Sequence, residues 1–159
     1  MNNFAAMPKF PILLFSLLLL ASTVFANKRD TLRTGYSDSV KFVLTNINKI
    51  KDPQKIEYCI PTTKAEARQY FSFDLDKEFS AAFKELQKKL TRYSIAGNTR
   101  LLKKCLYYSE FVEGYFEDDY VISVEKIAKA NIVSFCNVIA DCDPEKIRNL
   151  SEIKAAYCR

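Results

Sequence analysis

The sequence contains no histidine and no tryptophan, and only three glycines in 159 residues. The absence of histidine excludes Ser-His-Asp and Cys-His nucleophile systems and any histidine-ligated zinc or haem site. A glycine-rich phosphate loop is also excluded, because the nearest candidate, Gly97, stands alone. Few glycines disfavour a β-sandwich or barrel, which needs turn residues every few positions. These absences favour long helices joined by few connections.

The residues that are present are typical of a folded domain. Hydrophobic residues make up 48% and aromatic residues 13% of the composition, whereas disorder would require lower hydrophobicity and a larger net charge. The length suits one compact domain. We therefore predict that residues 27–159 form a single all-α domain, a disulfide-supported bundle of five or six helices.

Residues 1–26 have the pattern of a secretory signal peptide. Lys9 supplies the positive charge, Pro11–Ala21 is an apolar run, and a small-residue pattern predicts cleavage after Ala26. The apolar run is short for a membrane span of about 20 residues, so no stable membrane insertion is expected after cleavage. Retention as an N-terminal anchor is the alternative. The predicted location is secreted or periplasmic, and the sequon at Asn149 is usable only in a eukaryotic source.

The net charge of the exported part is small. Translation from either Met1 or Met7 and removal of the signal leave 23 basic against 19 acidic residues, a net charge of +4. This value suits solubility and is too small to predict a nucleic-acid partner.

All five cysteines lie in the exported part: Cys59, Cys105, Cys136, Cys142 and Cys158. An oxidising compartment favours disulfides between them, and their spacing matches neither paired metal knuckles nor a CxxC redox motif. The favoured pair is Cys142–Cys158, because the segment between them is predicted to be one helical return that a bridge would close. The odd count leaves at least one thiol free or paired with another chain, which keeps a homodimer open.

Apolar residues recur at spacings of three and four, the pattern of amphipathic helices. Thr63 and Glu66 have the form of a capping box that begins a helix at Lys64, and Gly97 is the expected end of another helix. Asp52-Pro53 is expected to end the first helix. The predicted stripes run from Tyr36 to Ile50, from Lys64 to Phe71, from Leu75 to Tyr93, from Leu101 to Phe116, from Val121 to Ile139 and from Ile147 to Tyr157.

The stretch from Asn98 to Cys142 is predicted to be a helical hairpin. The chain is expected to fold back at Asp118-Asp119, with either carboxylate as the N-cap of the second helix. That helix, Val121–Ile139, is apolar over more than half its circumference and is the predicted centre of the bundle. Asp143-Pro144 is expected to begin the last helix.

Aromatic residues and an acidic run coincide in residues 107–120. Tyr107, Phe111 and Tyr120 fall off the apolar stripe, and exposed aromatic residues are typical of partner-binding surfaces. The alternatives are core packing for the rings and a solvated face for the carboxylates, which lack calcium-loop spacing. No metal or other cofactor is predicted. The candidate partner surface comprises Tyr107, Glu110, Phe111, Glu113, Glu117, Asp118 and Tyr120.

Basic residues also cluster along two predicted helices and would form one patch if those helices were neighbours. A solvated face is the favoured interpretation, and an acidic protein partner or an anionic surface is the alternative. The residues concerned are Lys84, Lys88, Lys89, Arg92, Arg100, Lys103 and Lys104.

These features together predict a non-enzymatic protein-binding module outside the cytoplasm, such as an inhibitor or an immunity protein. One alternative is a structural or envelope-associated protein that forms a dimer through its odd cysteine. The other is an enzyme based on carboxylates. It would need at least two of the acidic residues in one pocket, drawn from Glu110, Glu113, Asp118 and Asp119.

Overall fold

The computed structural model describes residues 33–158, apart from the side chain of Tyr115. The predicted signal peptide and its cleavage site lie outside the described residues. Within them the chain is all-helical, as predicted, with eight α-helices and two 3-10 segments. None of these helices has both the length and the apolar character needed to span a membrane. The helices are α1 Tyr36–Thr45, α2 Pro53–Glu57, α3 Lys64–Leu75, α4 Ser80–Ile95, α5 Thr99–Tyr107, α6 Tyr115–Ala130, α7 Ile132–Ala140 and α8 Ser151–Tyr157, and the 3-10 segments are Tyr108–Phe111 and Arg148–Leu150.

The first predicted helix is shorter than expected. α1 ends at Thr45, although Ile47 and Ile50 remain buried in the turns that follow. Asp52-Pro53 begins a helix instead of ending one, because the Asp52 side chain accepts a hydrogen bond from the Gln54 backbone N–H and proline occupies the first helical position. The segment between the first two predicted helices therefore contains the short helix α2.

The local signals at both ends of the α3–α4 region are confirmed. The Thr63 hydroxyl accepts a hydrogen bond from the Glu66 backbone N–H at 3.2 Å, which caps α3. After α4, Gly97 has φ +91° and donates its N–H to the Ser94 carbonyl, while Asn98 donates to the Tyr93 carbonyl. This pair of bonds is a Schellman motif, which ends a helix at a left-handed residue.

The predicted fold-back at Asp118-Asp119 is wrong. The chain turns at Gly114, and α6 begins at Tyr115, so that both aspartates lie inside the helix. Gly114 has φ +63°, in the left-handed region that a side chain disfavours. The turn therefore sits where the glycine permits it.

The predicted central helix is also divided in two. α6 ends at Ala130 and α7 begins after Asn131, whose side chain accepts a hydrogen bond from the Ser134 N–H and donates another to the Ile95 carbonyl of α4. A cap and a tertiary bond at one residue thus hold the break. The prediction that Asp143-Pro144 begins the last helix is wrong. The chain forms turns after Asp143, and the last helix begins at Ser151.

The expected disulfide is present, but the favoured pair Cys142–Cys158 is replaced by Cys136–Cys158, with a Cα–Cα distance of 5.4 Å. Cys136 lies within α7, whereas Cys142 follows the end of that helix, where its buried thiol donates to the Val138 carbonyl at 3.2 Å. The intervening segment is a series of turns and two short helices, so the single helical return that suggested the other pair does not form.

The centre of the bundle is α4. It packs against α1, α2, α3, α5 and α6 and buries Phe83, Leu86 and Leu90. The helices around α4 leave several concave surfaces on the outside of the bundle, including one between α5 and the segment before α3 and one between α3, α4 and α6.

Candidate functional site

The first concave surface is a groove of about 360 Å³ between the connector that precedes α3 and the helix α5. Its apolar lining comes from Ile60 and Pro61 in the connector and from Tyr107 and Phe111 at the end of α5 and in the following 3-10 segment. Both aromatic residues are half-buried. A groove of this size with an apolar lining has the character of a binding site. We call it the basic groove because lysine and arginine side chains line it.

Four cationic side chains line the basic groove: Arg100, Lys103, Lys104 and Lys146. The first three stand three and four positions apart on α5, a spacing that places them on one face of the helix. Among the lining residues, Glu110 is the single carboxylate. The excess of positive charge over a partly apolar wall favours an anionic ligand.

Glu57 holds two of these cations in place. Its carboxylate Oε1 accepts a hydrogen bond from Arg100 Nε at 2.8 Å and lies 2.7 Å from Lys104 Nζ. The Glu57 side chain is 6% exposed, whereas that of Arg100 is 73% exposed. The carboxylate is therefore a buried anchor, and the guanidinium reaches into solvent at the groove. Glu57 carries no sequence motif, so sequence analysis missed it.

Tyr107 is enclosed by cations. Lys103 Nζ and Lys146 Nζ lie 6.0 and 5.4 Å from the centre of its ring, a distance at which cations are attracted to the aromatic face. Its hydroxyl accepts a hydrogen bond from the Asp143 backbone N–H at 3.2 Å. Tyr107 thus joins α5 to the segment that carries Lys146.

The opposite wall is fixed by Glu66. One carboxylate oxygen accepts hydrogen bonds from the Thr62 backbone N–H and hydroxyl at 2.8 and 2.9 Å, and the other accepts from Arg33 N and Nε at 3.1 and 2.6 Å. Burial acts to raise the pKa of Glu66, but the hydrogen bonds from Arg33 and Thr62 outweigh it, so the pKa is lowered. The Arg33 guanidinium in turn lies over the rings of Tyr36 and Tyr58, at 4.9 and 4.8 Å.

The predicted partner surface is only partly brought together. Tyr107, Glu110 and Phe111 all line the basic groove. Tyr120 does not belong to this surface, because it is 7% exposed and its hydroxyl donates to the Cys105 carbonyl at 3.0 Å.

The other predicted carboxylates lie outside the groove. Glu113 is exposed, 3.8 Å from Lys64 Nζ, and Glu117 and Asp118 are exposed in the first turn of α6, where the helix dipole favours negative charge. The acidic run is therefore divided: Glu110 lines the basic groove, while Asp119 lines a second cleft described below.

The seven basic residues do not form the single patch considered above. Lys89 is buried and its ammonium donates to the Ile50 carbonyl at 2.8 Å. Lys84 and Lys88 line the second cleft, and Arg92 lies farther along α4. The cations at the basic groove come from α5, joined by Lys146, which sequence analysis also missed.

The three unbridged cysteines, Cys59, Cys105 and Cys142, are all buried. Burial raises the pKa of the Cys59 and Cys105 thiols to about 12 and raises that of Cys142 as well. A thiol is a poor nucleophile when its pKa is so high. A homodimer linked through one of them remains a prediction that would require local opening of the fold.

No group of three His, Cys, Asp or Glu residues within the described part of the chain is placed to hold a metal ion. No family model, curated protein or solved structure matches the chain. The function must therefore be inferred from the geometry of the chain's own residues.

Proposed function

We propose that the protein is an exported, non-enzymatic binding module whose basic groove holds an acidic segment of a partner protein. The observation that carries the proposal is the convergence of four cations and one carboxylate on an apolar, aromatic lining. Charge complementarity of this kind steers association and selects acidic partners. The half-buried Tyr107 and Phe111 add the aromatic contact area that binding hot spots commonly use.

The groove is also formed in advance of binding. Glu57 holds Arg100 and Lys104, and Glu66 holds the Thr62 wall, so neither wall must be ordered by the partner. Preorganisation reduces the entropy lost on association. We infer a partner segment in which Asp or Glu residues flank one large apolar residue. The apolar side chain would lie against Ile60 and Phe111.

The test is selection from a random peptide library on immobilised protein. We expect enrichment of acidic residues around an aromatic or aliphatic residue, and binding of the selected peptides that weakens as salt is raised, since exposed charges are screened. The double variant Lys103→Glu/Lys146→Glu should weaken these peptides at least about tenfold. Both lysines are chosen because neither is held by Glu57, so the anchor stays paired.

The matched control is Lys41→Glu/Lys49→Glu, which changes two exposed lysines that do not line the groove. It should select the same peptides with the same affinity. Selected peptides without acidic enrichment, or equal affinity of the groove variant and the wild type, would show that the groove is not an acidic-segment site. Thermal unfolding of each variant verifies that it is folded.

Export has a separate test. N-terminal sequencing of protein recovered from outside the cytoplasm of the native cell should begin at Asn27. Recovery of the protein only in the cytoplasm, with residues 1–26 attached, would reject export and leave the groove proposal unaffected.

A further inference from the structure

The second concave surface is a cleft of about 360 Å³ between α3, α4 and α6, which we call the aromatic cleft. Phe71, Phe83, Tyr108 and Phe116 line it. The rings of Phe71 and Phe116 stack with centroids 4.4 Å apart, and those of Phe71 and Tyr108 are 6.3 Å apart. This volume and lining are typical of pockets that take small molecules.

Asp74 lines the cleft, and one of its carboxylate oxygens is a buried acceptor that the fold leaves unexplained. Its Oδ1 atom is buried and has no hydrogen-bond partner among the described residues. Buried polar atoms are normally hydrogen-bonded, because an unpaired one destabilises the fold. Asp74 also lies in the last turn of α3, where the unpaired carbonyl groups already carry partial negative charge. Both features favour a positively charged donor at this position.

The α4 side of the cleft has the opposite charge. Lys84 and Lys88 line it from consecutive turns of α4, and both are exposed; Lys88 Nζ also lies 3.8 Å from Glu85 Oε2 in a solvent-exposed ion pair. Between them Gln87 donates its side-chain N–H to the Tyr70 hydroxyl at 2.9 Å, so this residue is already engaged. The two ammonium groups suit a carboxylate that stays near solvent.

We propose that the aromatic cleft binds a small aromatic zwitterion, an α-amino acid with a benzene-type side chain. Its ammonium group donates to Asp74, its carboxylate is paired by Lys84 and Lys88, and its ring packs against Phe71 and Phe116. The site is distinct from the basic groove and does not depend on the function proposed for that groove.

The first test uses wild-type protein and three defined compounds in amide chemical-shift titrations. L-Phenylalanine carries both charges, 2-phenylethylamine lacks the carboxylate and 3-phenylpropanoate lacks the ammonium group. We expect saturable shifts confined to residues of the cleft, and binding of L-phenylalanine at least about tenfold tighter than that of 3-phenylpropanoate, the loss typical of one charge-assisted hydrogen bond. The proposal is overturned if no compound gives saturable shifts at concentrations up to about 10 mM, which corresponds to very weak binding. Equal affinities for L-phenylalanine and 3-phenylpropanoate also overturn it.

The second test replaces the acceptor. Asp74→Asn should weaken L-phenylalanine and 2-phenylethylamine at least about tenfold and leave 3-phenylpropanoate unchanged. Asp119→Asn, which changes the exposed carboxylate of the same cleft, is the matched control and should change none of them by more than about twofold. Equal losses in the two variants overturn the assignment of Asp74. Should Asp74→Asn fail to fold, the comparison of compounds on the wild type still decides.

Discussion

The basic groove and the aromatic cleft have the same volume, about 360 Å³ each, and are built in opposite ways. The groove is held by polar links between distant parts of the chain, such as the pairing of Glu57 with Arg100. The cleft is held by aromatic rings that pack on one another, such as Phe71 on Phe116. Polar links depend on pH and salt, whereas ring packing depends on shape and burial.

The acidic side chains of the two sites show the same difference. Glu57 has two cations on one buried oxygen, while Asp74 has one buried oxygen without a partner among the described residues. The first carboxylate stabilises the fold of its site. The second leaves one buried oxygen of its site unpaired, which is an arrangement expected where a ligand supplies the missing contact.

The largest effect should come from removing the disulfide. The double variant Cys136→Ser/Cys158→Ser opens a loop with a sequence separation of 22 residues, for which the chain-entropy model predicts a loss of about 3 kcal/mol. Because Lys146 lies within this loop, amide shifts should change around the basic groove and not around the aromatic cleft. Urea unfolding and NMR spectra measure both effects. Cys142→Ser removes a cysteine without breaking a bridge and is the control. Equal disturbance of the two sites would contradict the division between them.

A smaller loss is expected for Glu66→Gln, about 2 kcal/mol, because charge-assisted hydrogen bonds to Arg33 and Thr62 are weakened. Since the pKa of Glu66 is lowered in the folded protein from its ordinary value of 4.5, its stabilisation is present above about pH 4.5 and is lost as pH falls through the lowered pKa. The difference in unfolding free energy between wild type and variant should therefore shrink in acid. A difference that stays constant from pH 7 to pH 2 would reject this role. Glu113→Gln, at an exposed ion pair, serves as control.

The smallest effects come from Glu57→Gln and Asp74→Asn, and only the first should destabilise the fold. Glu57→Gln should destabilise by about 1 kcal/mol, a modest value because its partner Arg100 is largely exposed. Asp74→Asn should be neutral or stabilising by up to about 1 kcal/mol, because it removes the charge from a carboxylate that has one buried oxygen without a partner among the described residues. Urea unfolding compares them directly. Destabilisation of similar size by both changes would show that Asp74 is a structural residue.

The parts of the fold that sequence predicted are those set by neighbouring residues. The cap at Thr63 and the turn at Gly97 each depend on chemistry within a few positions, and both are found. The all-helical class follows in the same way from the spacing of apolar residues. The break at Asn131 was missed because the apolar stripe continues through it, and one of the two hydrogen bonds that hold it reaches Ile95, thirty-six positions away.

Sequence analysis named the aromatic residues, the carboxylate and the α5 cations that line the basic groove, but it assigned them to separate surfaces. Tyr107 and Phe111 were singled out because they depart from the apolar stripe of their own helix. Tyr120 departs from the same stripe, yet it is buried and its hydroxyl donates to the Cys105 carbonyl of α5. The apolar pattern did not show this contact, because it predicted the turn between the two helices at Asp118-Asp119. The pairing of Glu57 with Arg100 spans 43 positions and no single-sequence pattern encodes it.

The three buried thiols also give the molecule an internal reporter of its own motions. Each lies in a different place: Cys59 precedes α3, Cys105 is on the buried side of α5, and Cys142 follows α7. A thiol-reactive reagent modifies a buried cysteine only while its surroundings are open. The order in which the three react would therefore rank the local stability of the bundle without any added label.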